Sequence, residues 1–122
     1  MKYLAVVGSR GYIDSDFIFL VLDALFTEYM YEGIVSGGCK NSPDEIAAIY
    51  ANLNNIPLLE IKPNWKQYGK SAGFKRNVEI WDNAHSGVAF WDGVSKGTKH
   101  SFYIAKSQNK DIIIFKGKEL YE

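Results

Sequence analysis

Four short segments of this 122-residue chain gather the residue types that hold anions. GSRGY (8–12) places Gly8, Ser9 and Arg10 together. SGGCKNSPDE (36–45) sets Gly37 and Gly38 ahead of Ser42 and Asp44. WKQYGKSAGFKRN (65–77) mixes Trp65, Tyr68, Lys70, Gly73, Arg76 and Asn77. FWDGVSKGT (90–98) carries Asp92, Gly93, Ser95, Lys96, Gly97 and Thr98. Glycines let the backbone approach an anion, and a helix start presents free N–H groups to it. Arg10 and Arg76 can grip a phosphate or carboxylate with two donors, and Trp65 or Tyr68 can cover a base. Asp44 suits a ribose hydroxyl, or simply complements the dipole of the helix it opens.

Other chemistries find less support. There is no GxxxxGK[ST] loop, no GxGxxG fingerprint and no GxSxG elbow. His85, His100 and Cys39 have no metal-ligand spacing, so no metal is expected. His85 reads as a surface residue at a helix end, and Cys39 as a small, partly buried one.

These segments need a scaffold, and the rest of the chain reads as one. Apolar runs at 3–8, 34–38, 57–61, 86–91 and 111–115 predict five buried strands. Helical spacing predicts helices over 15–31, from Ser42-Pro43 to about Leu53, over 73–84 and over 98–107. Gly33 is expected to end the first helix, and 62–72 is expected to be loop. Phe74, Val78 and Trp81 are the expected inner face of the third helix, and Ile46, Ala47, Ile49, Tyr50 and Leu53 that of the second. Strands alternating with helices imply an α/β fold: one Rossmann-like, three-layer domain over 1–122 with a mostly parallel five-stranded sheet. All four polar segments then follow strands and converge on one rim, where such folds bind ligands.

Fourteen Lys and Arg balance fourteen Asp and Glu. A neutral chain lacks the phosphate contacts that a long nucleic acid needs, but a small phosphorylated ligand needs few. A single cysteine fits a reducing compartment, and no apolar stretch approaches the ~20 residues of a membrane span. The expected location is the cytoplasm, without a membrane partner.

Taken in order, VVGSRGY, SGG…DEIA, W…YGKSAGFKRN and AFWDGVSKGTKH resemble small bacterial and phage proteins of the YspA-like branch of the SLOG superfamily. Relatives of that branch are the DprA core and the LOG phosphoribohydrolases. The resemblance spans nearly the whole chain. It implies a Rossmann-like fold and a pocket for a nucleotide or ADP-ribose-like ligand, with the motif residues above as its walls. Two departures stand out. The family's second loop reads GGAxGxD, whereas here Cys39-Lys40-Asn41-Ser42-Pro43 separates Gly38 from Asp44. The hydrolases also carry a glutamate in a GTxxE pattern where this chain has Ser101.

That missing carboxylate moves the expected function from turnover to binding. The expected role is sensing or sequestering ADP-ribose, NAD or a cyclic-nucleotide-like signal, with no cofactor beyond the ligand. The alternative is an N-glycosidase, phosphoribohydrolase or nucleoside transferase with Glu79 or Asp92 as catalytic carboxylate. A DNA-processing accessory like DprA is a third reading, which the neutral charge disfavours. Assembly into a homo-oligomer is compatible with the sequence.

Overall fold

The computed structural model describes residues 2–121. Strands β1 (Tyr3–Gly8), β2 (Gly33–Ser36), β3 (Leu58–Glu60), β4 (Ser86–Trp91), β5 (Ile112–Lys116) and β6 (Glu119–Leu120) form one sheet in the order β3-β2-β1-β4-β5-β6. The first five are parallel, and β6 runs antiparallel to β5. Helices α1 (Ser15–Tyr29), α2 (Pro43–Leu53), α3 (Trp65–Tyr68), α4 (Ala72–Asp82) and α5 (Lys96–Ser107) connect them, with a 3₁₀ turn over Gly69–Ser71.

Strand side chains alternate between two faces, so β1 feeds both cores. Leu4 and Val6 join Ile34, Val88 and Phe90 under α1 and α2. Ala5 and Val7 join Val35, Ala89 and Trp91 under α4 and α5. The result is the expected three-layer α/β architecture. Among the described residues, no helix is long and apolar enough to cross a membrane.

Several elements depart from expectation. The sheet has six strands because Gly117, at φ 62°, turns the chain back after β5 into a two-residue β6. Gly33 does not end α1; Met30 does, in the left-handed region. Gly33 instead opens β2, where a Cβ would lie 2.5 Å from the Tyr3 ring. The expected loop at 62–72 contains α3, capped by the Asn64 side chain accepting from the Gln67 N–H at 3.1 Å. None of α3 is buried, so it leaves no apolar period to read. Within α4 the inner residues are Ile80 and Trp81, whereas Phe74 and Val78 face solvent. Ile49 and Leu53 of α2 are also exposed. α5 begins at Lys96, not Thr98.

Candidate functional site

The chain leaves β1 toward β2 and leaves β4 toward β5, so the strand order reverses between these neighbours. A crevice opens there, at the carboxyl ends of the strands. It holds a cavity of about 220 Å³. β1 and its loop contribute Val7, Gly8 and Arg10, and the loop into α2 contributes Gly37, Cys39, Ser42 and Asp44. The α4 wall is Arg76, Asn77 and Ile80; the α5 wall is Ser95, Gly97, Thr98 and Ser101.

Close packing fixes one glycine, and a second makes room for a side chain. A Cβ on Gly8 would fall 2.2 Å from Pro43 Cγ and 2.7 Å from the Phe90 carbonyl oxygen, so only glycine lets α2 seat on β1. A Cβ on Gly37 would fall 2.4 Å from Arg76 Nη1. The bare Gly37 backbone is what admits the guanidinium. There Nη1 donates to the Gly37 carbonyl at 3.2 Å and approaches Cys39 Sγ at 3.7 Å, while Nε donates to Asn77 Oδ1 at 3.0 Å. Asn77 Nδ2 in turn meets His100 Nδ1 at 3.3 Å. Arg76 is thus pre-positioned across the junction of α4 and the β2 loop.

Asp44 is the one carboxylate in the wall and is 6% exposed. Its Oδ2 accepts the Cys39 N–H at 3.0 Å. Ser42 Oγ accepts the Asp44 N–H at 3.1 Å and donates to the Cys39 carbonyl at 2.8 Å. Burial pushes the Asp44 carboxyl up to about 6, against the opposing pull of the Cys39 N–H and the Arg76 charge.

The loop into α5 is tied from beneath. Asp92 Oδ1 accepts the N–H groups of Val94 at 2.9 Å and Ser95 at 2.8 Å. Burial raises this carboxyl, but those two N–H donors together with the Ser9 hydroxyl and the Asp92 N–H outweigh it and hold the group below its ordinary value. The Asp92 N–H donates to Ser9 Oγ at 3.1 Å, and Ser9 Oγ shares a hydrogen bond with Thr98 Oγ1 at 3.2 Å. Asp92 is therefore engaged in shaping its own turn.

Ten of the expected site residues meet in the cavity: Gly8, Arg10, Gly37, Ser42, Asp44, Arg76, Asn77, Ser95, Gly97 and Thr98. Lys70 and Gly73 line an adjoining hollow. Ser9 supports the wall from behind. Gly38 lies against Glu60 and Lys62, Gly93 against Lys116, and Trp65 against Gly73. Lys96 and Glu79 are exposed, and neither these two nor Asp92 lines the cavity. Sequence reading missed Val7 and Ile80, which are indistinguishable from core, and the approach of Cys39. Ser101, the position of the absent glutamate, does face the cavity and is 3% exposed. Among the described residues, no three of His, Cys, Asp and Glu gather to hold a metal ion.

No curated protein and no solved structure matches the chain. A family model does, over residues 3–68, which covers the loops after β1 and β2 and runs through α3. The chain belongs to the YspA, cpYpsA-related SLOG family.

Proposed function

We propose that the chain binds a nucleotide-derived small molecule, of the ADP-ribose, NAD or cyclic-nucleotide kind, as a sensor or sequestering protein. One observation carries this reading: the guanidinium of Arg76 and the first turn of α5 face one cavity. No side chain caps α5, and its first turn holds no acid. The N–H groups that every helix start leaves unpaired are thus available to a phosphate. SLOG membership is compatible with a nucleotide-related ligand.

Thermal unfolding with ADP-ribose, NAD and cyclic nucleotides tests it. A ligand at 100 times its dissociation constant stabilises the fold by about 2.7 kcal/mol. Arg76→Ala is expected to remove that shift. No shift with any of the panel overturns the proposal.

An N-glycosidase reading gains from a different carboxylate than expected. Asp44 lines the cavity and titrates near 6, the range suited to proton transfer, whereas Glu79 and Asp92 lie outside it. Release of free base from a nucleotide, abolished by Asp44→Asn and untouched by Glu79→Gln, would favour that chemistry over binding alone.

A further inference from the structure

A second hollow of about 200 Å³ shares Arg76, Asn77 and Gly97 with the first and is completed by Lys70, Gly73 and Phe74. Either volume alone falls short of the ~300–1,000 Å³ typical of small-molecule sites, whereas a ligand spanning both would occupy a volume in that range. The inner part is lined by the Arg10 and Arg76 cations, hydroxyls, a helix start and the buried Asp44 carboxyl. The outer part has an aromatic ring at its edge.

That ring is Phe74, with 57% of its surface exposed. It stands edge-on to His100, with centroids 4.5 Å apart and planes at 82°. Burial holds the His100 imidazole below its ordinary value. Neither neighbouring aromatic lines the hollow: Trp65 is itself exposed and comes no nearer than 3.7 Å to where a Gly73 Cβ would stand, and Lys75 Nζ sits 4.8 Å over the Tyr68 ring.

We infer that the outer hollow receives a planar nucleobase against Phe74 while the phosphorylated sugar of the same ligand occupies the inner cavity. This rests on the binding role proposed above and specifies it: Phe74, and not Trp65 or Tyr68, makes the site select a phosphorylated sugar that carries a base. Stacking on an aromatic ring is tolerant of base identity and prefers the larger purine face.

Titration calorimetry of the full chain with AMP, UMP and ribose 5-phosphate tests this, because AMP and ribose 5-phosphate differ by the base. AMP is expected to bind about tenfold or more tightly than ribose 5-phosphate, with UMP between them. Phe74→Ala is expected to bring AMP to the level of ribose 5-phosphate and leave the latter unchanged, and Phe74→Trp to keep the preference. Equal binding of AMP and ribose 5-phosphate by the unaltered chain overturns the base subsite and leaves the binding role standing. So does a Phe74→Ala variant that weakens both in proportion or leaves their ratio intact. If these ligands, ADP-ribose and NAD all fail to bind, both readings fall together.

Discussion

Two helices, α2 and α5, begin at the rim of the same cavity, and their first turns are built in opposite ways. α2 opens with Ser42-Pro43-Asp44-Glu45 and satisfies itself. The Ser42 hydroxyl takes the Asp44 N–H, the Ser42 carbonyl takes the Glu45 N–H at 3.1 Å, and two acids offset the positive end of the dipole. α5 opens with Lys96-Gly97-Thr98-Lys99, has no side-chain cap and adds cations where the dipole is already positive. By sequence, the loop into α2 carries the better helix-start signals. Good capping marks a helix end that the chain has satisfied by itself. The poorly capped end is the one that suits an anion from outside.

Breaking the α2 side at its buried carboxylate has the largest expected effect. The Asp44 carboxyl is raised from 3.8 to about 6 in the fold. Below pH about 4 it is protonated in both folded and unfolded chains, and the shift has no consequence. As pH rises toward 6 the unfolded chain loses its proton first, and stability falls until both forms are ionised. Asp44→Asn is therefore expected to raise unfolding free energy at pH 7.5 by up to about 3 kcal/mol, and not at pH 3.5. Urea unfolding at both values checks it, and a gain of equal size at both would refute the link to ionisation.

A matched pair of serine substitutions addresses capping directly. Ser42→Ala removes a cap and is expected to cost about 1 kcal/mol. Ser95→Ala removes a hydroxyl that caps nothing and shares only one hydrogen bond, with Thr98 Oγ1 at 3.2 Å, so a smaller loss is expected. Equal losses in denaturant unfolding would erase the contrast between the two helix starts.

The smallest effect on stability belongs to Gly97. Unlike Gly8 and Gly37, it is not held by packing: a Cβ there meets no atom within 4 Å, although the residue lines both hollows. Gly97→Ala is expected to leave the fold unchanged or to stabilise it by up to about 1 kcal/mol, and to weaken ligand binding. Loss of stability in thermal unfolding would show that the glycine serves the fold instead.

Much of the scaffold was legible from residues alone. YLAVVG, SGVAFW and DIIIF read as strands because both faces of the sheet are covered, which leaves nearly unbroken apolar runs. Ser42 was readable as a cap, and so was either Asp14 or Ser15, because capping is local chemistry; Asp14 is the one that accepts the Phe17 N–H, at 3.1 Å. The inner face of α4 was not readable. Residues 74, 78 and 81 fit a helical stripe as well as 77, 80 and 81 do, and only the orientation of the helix over the sheet chooses between them. α3 escaped notice because an element without buried residues carries no hydrophobic period.

The candidate site divides along the same line. Composition and order were enough to place polar loops after strands, since a parallel sheet with right-handed crossovers brings all those loops to one rim. Which residues of those loops face one another was decided by the tertiary structure. Arg76 reaches Gly37 across 39 positions of chain, and Ser9 reaches Thr98 across 89. Asp92 turned back to the Val94 and Ser95 N–H groups of its own turn, while Asp44 was buried into the wall. Local sequence determines what a segment can donate, accept or cap, because those bonds close within a few residues. The partners that a side chain meets across the sheet depend on strand order and helix packing, which no single segment encodes.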